Sequence, residues 1–453
     1  MIEQLDTIAA IATPPGTAGI GVIRVSGANA IPAAQAIFKP LHDALANTPA
    51  RQLIRGNIYD NHGKLLDQAL AVIMPAGQSY TGEDVVELHC HGSPILLQLV
   101  LDLLFAQSVR LAEAGEFTRR AFLNNCLDLT QAEAVHDLIT APNEAAVRNA
   151  AGQLDGLLAR QLDALWAALT GVCAHFYACL DYPDDGVIDL DIPTLTSAIR
   201  DIHTKLSALA ATHSRGRKMR DGIKTAIVGR PNVGKSSLLN ALLGYERAIV
   251  SPTAGTTRDT VSETITLNGS LFRVIDTAGL RDGCGEVEQL GIERTQRTLQ
   301  EADLLLIVLD GSQPLTVEDK TVLALAHERT IIVVNKIDRT ECKIQNAEYA
   351  KKSVRLSALT GEGIDGLADA MSDLFNDESI PSDGTILTNA RQSDAIRRAA
   401  TAVDTACHAL ENATPDAVIF ELETALEALG QLTGKLVQVS IVDEVFGNFC
   451  VGK

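Results

Sequence analysis

Gly229-Arg230-Pro231-Asn232-Val233-Gly234-Lys235-Ser236-Ser237 fits GxxxxGK[ST], the pattern of a phosphate-binding loop. Its surroundings fit as well. A strand-like apolar run, Thr225 to Val228, leads in, and a helix-like run, Leu238 to Leu243, leads out. Such a loop turns backbone N–H groups toward phosphate at a helix N-terminus, where unpaired amides favour an anion. The candidate nucleotide-binding residues are Asn232, Val233, Gly234, Lys235, Ser236 and Ser237. Lys235 belongs on the terminal phosphates and the Ser236 hydroxyl on Mg2+. The stretch therefore predicts a P-loop α/β domain.

Partner motifs follow in order. Asp276-Thr277-Ala278-Gly279 ends the apolar run Leu271 to Ile275. An Asp at a strand end suits Mg2+, directly or through water, and the Gly279 N–H suits the γ-phosphate. Asn335-Lys336-Ile337-Asp338 ends a second run, Thr330 to Val334. The Asp338 carboxylate can accept from N1–H and the exocyclic amine of guanine, a donor pair that adenine lacks. Ser357-Ala358-Leu359 follows Ser353 to Leu356 and suits the loop whose backbone meets the guanine oxygen. Gly255-Thr256-Thr257-Arg258 is a candidate switch segment, with Thr257 as the second Mg2+ hydroxyl. Each motif alone can be a solvated post-strand turn. Together, in this order, they point to a guanine nucleotide.

Leu280 stands where many switch GTPases carry a water-orienting Gln. Leu cannot orient water, so hydrolysis needs another polar group and another positive charge. Glu286 and Glu288, between Asp282 and Gln289, are the nearest acidic candidates, and a plain solvated loop is the other reading.

The chain has 453 residues, enough for about two to four domains. Aromatics make up only 4% of it, which favours helices over β-sandwiches. A net charge of −19 speaks against broad, nonspecific nucleic-acid binding. A local basic run, Arg215, Arg217, Lys218 and Arg220, reads either as a nucleic-acid patch or as a solvated linker. The eight cysteines lack metal-ligand spacing. Met1-Ile2-Glu3-Gln4 has no basic start before a long apolar region, and no apolar run reaches the ~20 residues of a membrane span. A reduced, cytoplasmic protein is expected.

Residues 1–120 mix short strand-like runs with Pro and Gly and predict an α+β domain. Residues 121–215 turn helical: Leu154, Leu157, Leu158, Gln161, Leu162 and Leu165 share one face. Residues 216–380 hold the nucleotide motifs, and Pro381 to Gly384 is a linker. Helical pattern resumes from Ala390 to the end, making 381–453 the second part of the helical domain. An α/β domain flanked by two helical stretches predicts insertion into a helical domain.

Near the N-terminus, Gly-dense Thr13 to Gly21 runs into Arg24, and Tyr80-Thr81-Gly82-Glu83-Asp84 leads to Glu87. His89-Cys90-His91 reads as a metal site or, more simply, as strand packing or a pocket rim. The chain ends Phe449-Cys450-Val451-Gly452-Lys453; Phe446 and Phe449 predict an anchored end that brings Cys450 and Lys453 to a site. A cation nearby would depress the Cys450 pKa, and an inert thiol is the alternative.

These residues together resemble one family nearly end to end, the bacterial tRNA-modification GTPase MnmE (TrmE) family. The segments that carry the resemblance are TPPGTAGIGVIRVSG from Thr13, YTGEDVVELHCHG from Tyr80, AGEFTRRAFLNN from Ala114, LDLTQAEAVHDLI from Leu127, DYPDD from Asp181, GTTRD from Gly255 and the terminal FCVGK. The resemblance implies an N-terminal α+β dimerisation and folate-binding domain, an all-α helical domain and an inserted Ras-like GTPase domain. It implies a homodimer whose GTPase domains meet when GTP and K+ are bound, with K+ in the place of an arginine finger. Asn232 matches the potassium-ligating Asn, with Ser251, Thr253 and Thr256 beside it in the loop Ser251-Pro252-Thr253-Ala254-Gly255-Thr256-Thr257. Glu288 matches the water-orienting Glu. The family partner is the flavoprotein MnmG, and the substrate is the wobble uridine of certain tRNAs, which gains an aminomethyl or carboxymethylaminomethyl group at carbon 5. A 5-formyl- or methylene-tetrahydrofolate supplies the carbon, and Arg24, Glu87 and Lys453 match its contacts. Where the family has Lys before LDL, this chain has Cys126, so the resemblance implies weaker folate binding or replacement by Arg119 or Arg120. The other readings of the chain are a GTPase switch in ribosome assembly or signalling, and a folate-dependent transferase with a regulatory GTPase. A ribosome-assembly switch would add a basic RNA-binding domain, which this acidic chain lacks.

Overall fold

The computed structural model describes residues 6–41, 45, 48–181, 192–245, 262–276, 302–339, 353–375, 383–412, 414–435, 445–446, 449 and 452. Its contacts divide the chain into two units. One comprises Met1–His136, Leu154–Leu195 and Thr405–Lys453, the other Asp137–Gln153 and Thr196–Asp404.

The first unit is built on a seven-stranded sheet of β1 (Ile8–Ile11), β2 (Ala18–Ser26), β3 (Phe38–Pro40), β4 (Ile54–Tyr59), β5 (Leu65–Met74), β6 (Val85–Gly92) and β7 (Arg110–Leu111). The strand order is β3-β4-β5-β6-β2-β1-β7. Alternation sets its two faces: in β5, positions 67, 69, 71 and 73 are buried and those between are more open. Helices α1 (Ala30–Ile37) and α2 (Pro94–Phe105) cover one face, packing on Ile23, Val25, Val86 and Leu88. On the other face, β2 and β6 pair antiparallel with Arg24 opposite Glu87. Helix α3 (Glu116–Leu123) closes one end of that face through Phe117, which packs with Ile8, Ala10 and Ala112.

Helix α4 (Leu129–Thr140) follows and helps form a small core. In it Leu129, Ala132 and Val135 meet Val445, Phe446 and Phe449 from the far end of the chain. The Phe446 and Phe449 rings lie 5.6 Å apart, and the anchored end predicted for them is what the structure has. Gly452 lies on β1, so close that a Cβ there would come within 2.5 Å of the Ile11 carbonyl oxygen. The unit also holds the long helix α6 (Leu157–Asp181), whose packing partner is α13 (Pro415–Thr433).

The second unit contains the sheet predicted by the motifs: β8 (Ile223–Val228), β9 (Ser262–Leu267), β10 (Ser270–Asp276), β11 (Leu304–Asp310), β12 (Thr330–Asn335) and β13 (Ser353–Arg355). Its order is β13-β12-β11-β8-β10-β9, parallel except for β9 at the edge. Every residue of β11 and β12 is buried, as a parallel sheet covered on both faces requires. The covering helices include α9 (Lys235–Tyr245), α10 (Val317–Leu323) and α11 (Ile364–Asp373). Thr316 and Asp319 form a capping box at the start of α10.

The remaining helices of this unit, wholly or in part, are α5 (Glu144–Leu154), α7 (Ile192–Ala211), α8 (His213–Asp221) and α12 (Ala390–Asn412). Helix α8 leads directly into β8. In the segment leading into α12, Ile386 and Leu387 are fully buried. Asn149 Oδ1 accepts from the Gly384 and Ile386 amides at 3.2 Å each. Asn149 Nδ2 and Gln153 Nε2 donate to the Ile386 carbonyl at 3.0 and 2.7 Å. The backbones approach closely at Gly152 and Gly216, where a Cβ would sit 2.0 Å from the carbonyl oxygens of Asp383 and Leu387.

Candidate nucleotide-binding site

In an open parallel sheet, ligands bind at the carboxyl ends of the strands. Here β8 ends into the phosphate loop, β10 ends at Asp276, β12 at Asn335, and β13 just before Ser357. The loop turns through two left-handed residues, Asn232 at φ +64° and Gly234 at φ +100°. Gly234 cannot carry a side chain, since its Cβ would lie 2.3 Å from Asn335 Nδ2. Val233 is buried beneath the loop, whereas Asn232, Ser236 and Ser237 are exposed. The Lys235 ammonium donates to the carbonyls of Gly229 and Arg230 at 3.0 Å each, which holds it across the loop.

Asn335 joins three segments. Its Nδ2 donates to the Val233 carbonyl at 2.9 Å, and its Oδ1 accepts from the Lys336 amide at 2.8 Å and the Ala358 amide at 2.9 Å. Lys336, itself at φ +67°, donates through Nζ to the Asn232 carbonyl at 2.6 Å and to Asp310 Oδ2 at 2.7 Å. Ser357 Oγ donates to Asp338 Oδ1 and accepts from the Thr360 amide at 3.2 Å. That contact orients the carboxylate, and Oδ2 remains as a further acceptor. Leu359 is 81% exposed beside it, so its side chain contributes little to packing.

Burial alone would raise the pKa of Asp310, but the Lys336 ammonium and the Ser312 donors more than offset this and hold it below the usual carboxylate range. Motif reading did not single out Asp310. Its signal was an Asp closing the apolar run Leu304 to Leu309. Arg230 was also passed over: it pairs with the capping residue Asp319 at 3.2 Å and donates to Gln313 at 3.0 Å, tying the loop to the start of α10.

The structure thus brings together Asn232 to Ser237, Asn335, Lys336, Asp338 and Ser357 to Leu359. Asp276 takes its place at the end of β10, opposite Ile227 of β8. Ser251, Pro252, Thr253, Ala254, Gly255, Thr256, Thr257, Thr277, Ala278, Gly279, Glu286 and Glu288 lie outside the described residues, as do Cys450 and Lys453.

A second polar cluster lies in the first unit. Arg24 and Glu87 pair through two contacts, Nε at 2.9 Å and Nη2 at 2.8 Å, both to Oε1. The Arg24 guanidinium lies 5.6 Å from the centres of both the Tyr80 and Phe117 rings. Cys126 is exposed at the neighbouring loop, where a Cβ at Gly82 would come within 2.9 Å of its Sγ. Asn124 Nδ2 fixes that loop by donating to the Thr81 carbonyl at 2.6 Å.

Arg120 does not stand in for a lysine at position 126. It is 1% exposed and held by Glu83 at 3.1 Å and Glu116 at 2.8 Å. Burial pushes the Glu116 pKa up, but Arg110, the Glu113 amide and Arg120 together bring it down to about 2. The His-Cys-His strand forms ordinary contacts: His91 Nδ1 meets Asp67 Oδ1 at 2.6 Å and His89 meets Glu87 at 3.4 Å. Burial, with Asp67 nearby, pushes the Cys90 thiol up to about 12, and no metal-type cluster exists among the described residues. The basic run is absorbed by helix docking. Arg217 and Lys218 face Asp303 at 3.4 and 3.9 Å, Lys218 lies 5.0 Å over Phe375, and Arg220 faces Asp137 at 3.9 Å. No helix among the described residues is long and apolar enough to cross a membrane.

Comparison with known proteins identifies the family. Residues 7–126 match the family described as GTP-binding protein TrmE N-terminus, and residues 129–450 match the MnmE helical domain. The tRNA modification GTPase MnmE of Clostridioides difficile is 40% identical, with 99% of each chain covered. That of Synechococcus sp. is 42% identical, covering 99% of this chain and 98% of the relative. Among solved structures, the G domain of the T. maritima FeoB iron transporter is 28% identical. It covers 33% of this chain and 97% of that one, with a TM-score of 0.26. With both family matches and end-to-end identity at this level, the chain belongs to the MnmE family of tRNA modification GTPases.

Proposed function

We propose that this protein is a potassium-stimulated GTPase that acts, with the flavoprotein MnmG and as a homodimer, on the wobble uridine of certain tRNAs. The product carries an aminomethyl or carboxymethylaminomethyl group at carbon 5. The observation that carries the reading is the Asn335 side chain, which locks the phosphate loop to both guanine-reading loops. GTP is the substrate. Asp338, oriented by Ser357, reads the guanine edge, and the Ala358 amide is held beside it. Lys235 exchanges its loop carbonyls for the terminal phosphates, and the loop amides orient the chain of phosphates.

Ser236, Thr257 and Asp276 would hold Mg2+; Asn232, Ser251, Thr253 and Thr256 would hold K+. The exposed donors described, the Asn232 amide and the Ser236 hydroxyl, are hard oxygen ligands that suit such cations. The bound ions supply the positive charge that an arginine finger supplies in other GTPases. Since Leu280 cannot orient water, Glu288 takes that task. In the first unit, the Arg24–Glu87 pair lies beside two aromatic rings and suits a flat, polar-edged carrier such as a tetrahydrofolate derivative. Cys126 brings no cation to an anionic tail there.

The test is GTP turnover in K+ and in Na+, for the full chain and for Glu288→Ala. Potassium should raise the wild-type rate by on the order of tenfold or more, and Glu288→Ala should lose most turnover while retaining GTP binding, in the range known for removing one positioned group. Equal rates in the two salts refute the potassium reading.

A further inference from the structure

Asp310 is the last residue of β11 and stands opposite Asn335, the last residue of β12. That register places its carboxylate against the next residue, Lys336. The carboxylate is 4% exposed. One oxygen accepts from the Ser312 amide at 3.0 Å and its hydroxyl at 2.6 Å. The other meets Lys336 Nζ at 2.7 Å, and the same ammonium donates to the Asn232 carbonyl at 2.6 Å. Asn232 is held at φ +64°, a conformation that a residue with a side chain adopts at a cost. A continuous chain of contacts therefore runs from the end of a buried strand to an exposed residue of the phosphate loop.

We propose that Asp310 is a positioning residue for the monovalent-cation site of the phosphate loop, acting through Lys336 on Asn232. It does this in two ways. The carboxylate holds the ammonium on the Asn232 carbonyl, which keeps that peptide turned and the residue exposed. It also neutralises an ammonium that stands next to the residue receiving a second cation; without it, two like charges would face each other across a loop only partly screened by water. The inference rests on the reading of Asn232 as a potassium ligand.

Asp310→Asn keeps the side chain's shape and an acceptor for Ser312 but removes the charge. Two readouts are taken at constant ionic strength. One is the K+ concentration giving half-maximal GTP turnover; the other is the K+ dependence with which a fluorescent non-hydrolysable GTP analogue is retained. Both midpoints should rise about tenfold, equivalent to ~1.4 kcal/mol of lost compensation, and saturating K+ should restore analogue affinity to within about twofold. An unchanged midpoint overturns the proposal. So does weakened analogue binding that saturating K+ fails to restore, because that is the signature of a purely structural support for the guanine loops. Should Asp310→Asn fail to fold, Ser312→Ala loosens the same carboxylate and should move both midpoints in the same direction by about threefold, roughly the loss of one hydrogen bond; no movement there also overturns it. Wild-type protein that ignores K+ in favour of neither salt would instead remove the potassium reading itself, a result separable from a change confined to the variants.

Discussion

At the scale of single residues, the site depends on side chains that each serve more than one segment. The sequence proposes Asp338 as a guanine reader from its place in Asn335-Lys336-Ile337-Asp338; that Ser357 would orient it was not legible, because the two are far apart in sequence. Asp338→Asn replaces an acceptor with an amide donor facing the exocyclic amine of guanine. Xanthine presents a carbonyl there, so preference should shift from GTP toward XTP by roughly 100-fold or more, the size expected when a buried polar pair is mismatched. Competition binding with both nucleotides measures it, and retained GTP selectivity would remove Asp338 from its role. Gly234 was legible in kind, as a required glycine, while the atom that forbids its side chain, Asn335 Nδ2, emerged only from the fold. Cys126 shows the reverse: its departure from a lysine rests on the family resemblance, while the commitment of Arg120 to Glu83 and Glu116 counts against one substitute for reasons of contact alone.

At the scale of elements, the strands next to the motifs were the easiest to read. The runs ending at Val228, Ile275 and Val334 became β8, β10 and β12, because continuous apolar stretches bounded by turn residues suit a sheet covered on both faces. Helix α1 and the short strand β3 were not anticipated; their eight and three residues carry too little periodicity to stand out. Helix α3 starts at Glu116, a little before the predicted change to helical pattern, and it carries a charge network with no sequence signature. Arg120 lies buried between Glu83 and Glu116, with Arg110 on the outer side of Glu116. Arg120→Met retains much of the volume but leaves carboxylates unpaired, and it should cost about 3–5 kcal/mol near neutral pH. Glu116 has a depressed folded pKa, about 2 against 4.5 for the free group. Its contribution is therefore complete above about pH 4.5 and lost as pH falls toward 2. Denaturant unfolding across that window should show the gap between variant and wild type closing as pH falls; a gap independent of pH would mean the loss is one of packing.

At the scale of the whole molecule, the alternation of helical, α/β and helical composition suggested that the nucleotide-binding domain is an insertion. Pro381 to Gly384 was expected to be a linker. At its end and just beyond it, Asn149 and Gln153 hold the backbone, and Ile386 and Leu387 are buried. Asn149→Leu would leave the amides of Gly384 and Ile386 without their acceptor, at about 1–3 kcal/mol for each buried donor. Amide hydrogen exchange at these two positions should accelerate roughly 30-fold or more, corresponding to about 2 kcal/mol. Unchanged exchange would show that the clamp contributes nothing to holding the segment.

The sequence by itself determined the nucleotide class, the order of the motifs, the unavailability of a glutamine mechanism at Leu280 and the family resemblance. All of these are written in short, contiguous stretches whose chemistry depends on residue type and spacing. Only the tertiary structure decided that Asn335 joins the loops, that Asp310 reaches Asn232 through Lys336, that the basic run docks a helix and that Gly452 lies against β1. These depend on strand register and on contacts between residues distant in sequence. Periodicity can say which face of a strand is buried, but it cannot say which partner that face will meet.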